Sequence, residues 1–158
     1  MKPVINLDEL EYQSNDEGKF QEKYSVISDK IGAKKLGYNI TVVPAGKTAV
    51  PFHVHHNNEE MFFILEGSGR LRFGDKEYPL RKYDVIACPA GKRDVAHQIL
   101  NTGSTDLKYM ALSTLERTDV CEYPDSNKIG VFVGEQGNRD LRLLFKTEQN
   151  VDYFEGEK

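Results

Sequence analysis

The sequence predicts an all-β domain, folded as a sandwich or barrel of short strands. Short apolar runs rich in β-branched and aromatic residues alternate with Gly, Pro and Asn turn signals along most of the chain. The turn signals recur at roughly 8–12 residues, a spacing typical of β-sandwiches and barrels. Helical periodicity is weak, and only short helical turns near residues 6–10 and 28–34 are expected.

The predicted strands begin at residue 37 and continue almost to the end of the chain. They cover residues 37–43, 61–65, 70–73, 84–88, 98–100, 107–112, 130–133 and 141–145. The dipeptide Gly74-Asp75 separates two short apolar stretches and predicts a tight hairpin. Residues 11–23 are polar and rich in charge, and they predict an exposed loop before the first strand.

Length and charge indicate one soluble, acidic domain. The chain has 158 residues, with 21 Lys and Arg against 25 Asp and Glu and a net charge of −4. This balance argues against a nucleic-acid partner, and no apolar run approaches the ~18 residues of a membrane-spanning helix. Two cysteines are too few for a disulfide framework, and the N-terminus lacks the pattern of a secretory signal. These features predict a cytoplasmic protein.

We expect a three-part organisation around this single core. Residues 1–35 form an N-terminal extension that packs on the barrel or swaps with it. Residues 36–146 form the barrel, and residues 147–158 form a C-terminal tail.

The four histidines indicate a site. His53, His55 and His56 lie together, and His97 follows a later Pro-Ala-Gly turn. Residues two apart on a strand point to the same face, so His53 and His55 aim into one space and His56 aims away.

Glu60 begins the next predicted strand, across the Asn57-Asn58 turn from His55. An ionised carboxylate buried beside imidazoles is costly without a cation. A divalent metal supplies that cation and accepts both kinds of ligand. The spacing therefore predicts a metal site.

These residues resemble the two sequence motifs of the cupin superfamily. The first motif reads here as Gly46, His53, His55, Glu60 and Gly67. The second reads as Tyr83, Pro89, Gly91, His97 and Asn101. The resemblance covers residues 36–112, about half of the chain, and several fixed offsets agree.

Three positions depart from the family pattern without removing a ligand. Gly46 is one residue farther from His53 than is usual. Five residues rather than two separate Gly91 from His97. Tyr83 stands where the family has glycine, so its turn must avoid positive φ or accept strain.

The resemblance implies a double-stranded β-helix, an RmlC-like jelly-roll barrel with short N-terminal helical turns. It also implies that the metal ligands are His53, His55, Glu60 and His97. Glu59 competes for the carboxylate role, and the six-residue gap to Gly67 favours Glu60. The ligand types suit Mn, Fe, Ni or Zn and do not choose among them.

The second half of the chain also resembles a group of small bacterial type-2 cupins, through residues 96–103 and 122–126. We expect a metal-dependent enzyme of the dioxygenase, decarboxylase or isomerase type, acting on a small organic molecule. The alternative is a non-catalytic module that binds or senses a metal or small ligand. The pocket walls are predicted to be apolar, from Phe52, Phe62, Ile64, Ile99 and Met110. A homodimer is the default assembly for such a domain.

Overall fold

The computed structural model describes residues 2–158, and its architecture is almost entirely β. The strands are β1 (Gln13–Glu17), β2 (Phe20–Val26), β3 (Leu36–Val43), β4 (Val54–His55), β5 (Glu60–Glu66), β6 (Ser68–Phe73), β7 (Lys76–Arg81), β8 (Val85–Cys88), β9 (His97–Leu100), β10 (Leu107–Thr114), β11 (Thr118–Tyr123), β12 (Lys128–Glu135) and β13 (Asn138–Lys146). A short helix, α1 (Ser28–Ile31), and a 3₁₀ turn at Leu7–Glu9 precede the barrel. Further 3₁₀ turns lie at Arg93–Val95, Pro124–Ser126 and Thr147–Gln149. The predicted all-β class with short N-terminal helical turns is confirmed.

The strands form three antiparallel sheets. The largest has the order β1-β2-β3-β10-β5-β8, the second β13-β12-β11-β4 and the third β7-β6-β9. Neighbours in space are often distant in sequence, as in β3 beside β10, which is the crossing expected of a jelly roll.

The main core lies between the six-stranded and the three-stranded sheets, since both contribute to one apolar cluster. Its buried members are Val43, Ala49, Phe62, Ile64, Leu71, Leu80, Ile86, Cys88, Ile99, Leu107, Tyr109 and Ala111. Asn101 anchors the edge of this core by donating from Nδ2 to the carbonyls of Val43 and Thr105. Its Oδ1 accepts from the backbone N–H of Gly103, which holds the turn after β9.

The predicted hairpin at Gly74-Asp75 is confirmed as the turn between β6 and β7. Gly74 has φ +56°, and a Cβ there would lie 2.4 Å from the carbonyl oxygen of Asp94. Its N–H donates to the carbonyl of Ala96. The hairpin tip therefore packs closely against the loop that leads into β9 and helps to position His97.

The prediction of an exposed loop over residues 11–23 was wrong. Most of this segment forms the hairpin of β1 and β2, and β2 pairs with β3. Every residue of β1 is exposed, and its sequence, QSNDE, contains no apolar residue. It therefore lacks the apolar alternation from which a strand could be recognised. A second apolar cluster holds this part on the barrel through Leu10, Ile27 and Ile40. The boundary between an extension over residues 1–35 and the barrel stays a prediction.

Tyr83 adopts φ +76° in the turn before β8. This is the left-handed region, which costs most residues other than glycine. Of the two outcomes expected where tyrosine replaces glycine, the backbone of Tyr83 therefore accepts the strain of a positive φ.

No helix in residues 2–158 is both long enough and apolar enough to cross a membrane.

Candidate metal centre

Three imidazoles surround one carboxylate oxygen inside the barrel. The Oε2 of Glu60 lies 2.9 Å from Nε2 of His97, 3.4 Å from Nε2 of His55 and 3.6 Å from Nε2 of His53. His53 and His97 are buried, and the side chain of Glu60 is only 16% exposed. The four side chains expected as ligands thus approach one another around a single carboxylate oxygen.

Backbone pairing brings these side chains together from distant parts of the sequence. His53 and His97 form a two-way bridge, in which each N–H donates to the carbonyl of the other. Glu60 opens β5 and pairs with Cys88 of β8. His55 lies in β4, opposite Cys121 of β11.

Hydrogen bonds to the second ring nitrogen set the orientation of two imidazoles. The Nδ1–H of His53 donates to the carbonyl of Pro51 at 2.9 Å. The Nδ1–H of His55 donates to Oδ2 of Asp119 at 2.5 Å. Because Nδ1 carries the proton in both rings, Nε2 is left to face Glu60, as the Nε2 of a metal-binding histidine requires.

The third imidazole differs from these two. The Nδ1 of His97 is buried and has no hydrogen-bond partner within residues 2–158. Its ring packs beside Phe62, with 5.8 Å between the centroids. The polar contact of His97 is therefore made at Nε2, toward Glu60.

Asp119 organises the strand end behind His55, and nothing in the sequence motifs indicates it. Besides His55, it accepts hydrogen bonds from the backbone N–H of Asn57 and from Nδ2 of Asn58. The Sγ of Cys121 lies 3.1 Å from Nδ1 of His55 on the same side. Alternation places Asp119 and Cys121 on one face of β11, but only the fold shows that this face meets β4.

The electrostatics of the cluster favour positive charge at its centre. Burial by itself raises the pKa of Glu60, but its contacts with the imidazoles of His53, His55 and His97 hold that pKa well below its usual range. Burial likewise works against a charged His55, yet hydrogen bonds to Asp119, Cys121 and Glu60 raise its pKa to about 12. The two carboxylates on either side of His55 thus create a position at which a cation is stabilised.

The two cysteines near the cluster are unsuited to nucleophilic chemistry. Burial raises the pKa of the Cys88 thiol to about 12, and the charge of Glu60 adds to this rise. Burial also raises the pKa of the Cys121 thiol. Both thiols are therefore protonated at neutral pH, and thiolate is the reactive form.

The structure does not bring His56 or Glu59 to the cluster. The Nε2–H of His56 donates to Oε1 of Glu122 on the other side of β4, at 2.7 Å. Arg93 donates to the second oxygen of Glu122 at 2.6 Å. Glu59 is exposed, and its backbone N–H donates to Oγ1 of Thr114.

The walls of the site are partly those expected. Phe62, Ile64 and Ile99 lie in the main core, with Phe62 against His97. Phe52 is buried in a small cluster with Val54 and Ala96. The expectation for Met110 was wrong, because it packs against the N-terminal cluster of Leu10, Ile27 and Ile40. Tyr123, which was not predicted, stacks on the His53 ring at 6.2 Å.

Comparison with known proteins finds similarity over the part of the chain that carries the two motifs. Residues 39–113 match the family model of the cupin domain. The oxalate-binding protein of Thermotoga maritima is 34% identical over 73 residues, which are 46% of this chain and 57% of that protein. The chain spans just over half the length of the curated relatives it matches.

Two solved structures match over nearly the whole chain. A provisionally assigned sugar phosphate isomerase from Acidithiobacillus ferrooxidans has a TM-score of 0.83 at 20% identity, with 96% of each chain covered. A sugar phosphate isomerase from a cupin superfamily, from Silicibacter pomeroyi, has a TM-score of 0.79 at 20% identity, covering 94% of this chain and 95% of that one. At this identity the likeness shows the fold.

The fold is an antiparallel double-stranded β-helix, a jelly roll with ionisable side chains gathered inside the barrel. Residues 39–113 carry a cupin-like domain, as the two motifs within them indicate. It holds His, Glu and Asp groups close enough together to share an ion.

Proposed function

We propose that the protein binds a divalent transition metal through His53, His55, Glu60 and His97. The observation that carries the proposal is that three Nε2 atoms lie within 3.6 Å of Oε2 of Glu60. Three imidazole nitrogens and one carboxylate oxygen are a donor set suited to Mn, Fe, Ni or Zn.

The charges around the cluster support this proposal. Glu60 and Asp119 place two carboxylates on opposite sides of the His55 ring. Without a metal, a proton on His55 balances them. A divalent ion at Nε2 takes over that role, since metal binding and protonation compete for the same nitrogen.

We propose further that the metal serves a reaction on a small organic molecule, of the dioxygenase, decarboxylase or isomerase type. A bound ion supplies Lewis-acid activation of a carbonyl or hydroxyl oxygen, and its redox-active forms supply oxygen chemistry. The chain contributes the apolar wall of Phe62 beside His97 and the Tyr123 ring over His53. We expect these two rings to limit access of water on one side of the cluster, and the substrate to lie along the sheet face beyond Tyr123.

A non-catalytic binding role is the second candidate. The relative from Thermotoga maritima is an oxalate-binding protein. A small ligand held at the metal without turnover would need the same four side chains. The two candidate functions therefore use the same site and differ only in whether a reaction takes place there.

Metal analysis followed by a substrate screen tests both candidates. The untagged protein is purified, and its Mn, Fe, Ni and Zn contents are measured by inductively coupled plasma mass spectrometry. It is then screened with small carboxylic acids, phenols and sugars for oxygen uptake and product formation. Stoichiometric metal with turnover supports the enzyme, and stoichiometric metal with ligand binding alone supports the binding module. A protein that refuses all four metals contradicts the ligand assignment.

Histidine variants separate the ligands from their neighbour. His53→Ala and His97→Ala should each lose most of the bound metal and keep a β-rich circular dichroism spectrum. His56→Ala is the matched control, because His56 pairs with Glu122 and faces away. Equal metal loss in His56→Ala and His53→Ala would contradict the assignment.

The proposal includes a homodimer formed by the four-stranded sheet. β13 is an edge strand, and its register pairs Leu141, Leu143 and Phe145 with three apolar residues of β12. These side chains share the outer face of the sheet, where Leu143 is 48% exposed. A second copy placed by two-fold symmetry would cover both the open strand edge and this apolar face.

The cytoplasmic location expected from the sequence stays a prediction.

A further inference from the structure

The inner face of the four-stranded sheet begins at the candidate metal centre and extends from β4 toward β13. Asp119, Cys121 and Tyr123 alternate along β11, and the first two contact His55. Tyr123 lies on the same face and stacks on His53. This face of β11 is therefore the side that looks into the site.

Strand register extends this face across two more strands. Directly opposite residues of an antiparallel pair lie on one face. Asp119 is opposite Phe132 in β12, and Phe132 is opposite Arg142 in β13. Tyr123 is opposite Lys128. Phe132, Lys128 and Arg142 thus lie on the same face as the residues behind His55.

Two aromatic rings form the floor of this region. Gly130 lies between Tyr123 and Phe132, and a Cβ at Gly130 would meet the Phe132 ring at 2.7 Å. The same Cβ would lie 3.6 Å from Cε2 of Tyr123. The absence of a side chain at Gly130 therefore lets the Phe132 ring approach the strand beside Tyr123, which itself stacks on His53.

Three cationic side chains lie close to the rings of Tyr123 and Phe132. The guanidinium carbons of Arg139 and Arg142 lie 5.9 Å and 6.0 Å from the centre of the Phe132 ring. The Nζ of Lys128 lies 5.3 Å from the centre of the Tyr123 ring. Phe132, Arg139 and Arg142 line an open cleft of about 470 Å³.

These cations lack the carboxylate partners that four of the other five arginines have. Carboxylates within 4 Å pair with Arg70, Arg72, Arg93 and Arg117. No carboxylate within residues 2–158 forms such a pair with Arg139, Arg142 or Lys128. Arg139 donates to the carbonyl of Gly134, and the nearby Asp140 pairs with Arg117. The cleft therefore holds positive charge that the described part of the chain does not neutralise.

We propose that Arg142, Arg139 and Lys128 bind the oxyanion group of a small ligand, a phosphate or a carboxylate, whose other end reaches His53 and His55. This inference rests on the metal-dependent function proposed above and specifies an anionic substrate class for it. Guanidinium groups bind both oxyanions through paired N–H donors, and the aromatic floor accepts the carbon skeleton between the two ends.

The spacing suits an elongated small molecule. Neighbouring strands lie about 4.8 Å apart, so β12 is roughly 10 Å from β4, which carries His55. The guanidinium carbons of Arg139 and Arg142 lie within 6.0 Å of the ring centre of Phe132 in β12, so the cleft is centred near that strand. A chain of several atoms ending in an oxyanion spans the distance between β12 and β4.

Direct anion titration of the purified protein tests the proposal without an activity assay. Inorganic phosphate and acetate are titrated separately at fixed ionic strength, and binding is followed by calorimetry and by arginine Nε–H chemical shifts in NMR spectra. We expect saturable binding that Arg142→Gln and Arg139→Gln each weaken about 10-fold or more, as loss of a charge-assisted hydrogen bond does. Tighter binding of phosphate or of acetate identifies which oxyanion the cleft prefers.

Arg81→Gln is the matched control, because it removes an exposed arginine of the three-stranded sheet that likewise has no carboxylate partner within residues 2–158. It should leave phosphate binding unchanged. The proposal is overturned by the absence of saturable binding of both anions, or by equal binding in Arg142→Gln, Arg139→Gln and Arg81→Gln.

Metal content, measured on the same samples, distinguishes this proposal from the one it rests on. Wild-type metal content in Arg142→Gln, with weakened phosphate binding, supports a separate anion site beside the metal centre. A protein that binds phosphate through Arg142 and holds no metal contradicts the metal centre and the two-ended ligand together.

Discussion

His55 donates its Nδ1–H to Oδ2 of Asp119, which lies 64 residues further along the chain. The bond joins β4 to β11 and leaves Nε2 of His55 facing Glu60. Asp119 is itself held by Asn57 and Asn58, so both ends of the contact are fixed. The carboxylate behind the histidine therefore determines where the imidazole presents its second nitrogen.

Replacing Asp119 should weaken metal binding without removing a ligand. Asp119→Asn keeps the size of the side chain and loses the charge that orients the His55 ring. Loss of such a supporting carboxylate typically lowers metal affinity about 10- to 100-fold. Competition titration with a chelating dye measures the change. Asp125→Asn, which alters a surface partner of Arg72, is the control and should keep full affinity.

Part of this arrangement could be read from the sequence. His53, His55, Glu60 and His97 carry fixed offsets, because each offset reflects a local strand or turn. Strand parity also separates His55 from His56, which the structure places on opposite sides of β4. Local spacing therefore predicts which side chains come together.

Long-range pairing could not be read in the same way. Asp119 and Tyr123 face the cluster only because β11 pairs with β4, and no local pattern specifies that neighbour. The fully exposed β1 likewise forms a strand through pairing with β2 and without an apolar face of its own. These elements depend on contacts between segments that a single sequence does not reveal.

Metal removal should lower thermal stability, and re-addition should restore it. A ligand that binds only the folded state adds about 2.7 kcal/mol at a concentration 100 times its dissociation constant. For a chain of this size that corresponds to a rise in Tm of roughly 5–10 °C. Differential scanning calorimetry with and without chelator measures it.

Two neighbouring glutamates serve as the matched pair for this measurement. Glu60→Gln should abolish most of the rise in Tm, because Oε2 of Glu60 lies at the centre of the three imidazoles. Glu59→Gln should keep it, because Glu59 is exposed. The opposite result would assign the carboxylate ligand to Glu59.

The ion pair of Arg72 with Asp125 predicts a pH-dependent contribution to stability. Arg72 donates to both oxygens of Asp125, at 2.6 Å and 2.9 Å, and holds the pKa of that carboxyl below its usual value. A carboxyl with a lowered folded-state pKa stabilises the fold above its unfolded pKa, and this stability is lost as the pH falls through the folded value.

Asp125→Asn should therefore be slightly less stable than wild type at pH 7, by under about 1 kcal/mol for so exposed a pair. The difference should shrink as the pH falls below the ordinary Asp range. Urea unfolding between pH 7 and pH 3 measures it, and a difference that stays constant or grows toward acid would contradict the assignment. Glu116→Gln, a change at an exposed glutamate for which no ion pair is seen within residues 2–158, is the control.

The positive φ of Tyr83 predicts an order of stability between two variants. Both Tyr83→Gly and Tyr83→Ala remove the ring that stacks on Phe63 at 6.3 Å. Only glycine occupies φ +76° without strain, which for other residues costs roughly 1–2 kcal/mol. After allowance for the greater freedom of an unfolded glycine, the Gly variant should be more stable by about 0.5–1 kcal/mol. Urea unfolding decides it, and an Ala variant at least as stable as the Gly variant would remove the strain argument.

The two faces of β13 predict different effects on assembly. Leu143 points to the outer face with Leu141 and Phe145, whereas Leu144 shares the inner face with Arg142. Both leucines are similarly exposed, at 48% and 40%, so they form a matched pair. If a second copy covers the outer face, Leu143→Lys should dissociate the dimer into 18.0 kDa monomers, because an unpaired charge would be buried there. Leu144→Lys should remain dimeric. Sedimentation velocity measures the mass, and a wild-type protein that is monomeric at all concentrations, or a Leu144→Lys variant that dissociates as readily as Leu143→Lys, would show that the outer face is not the interface.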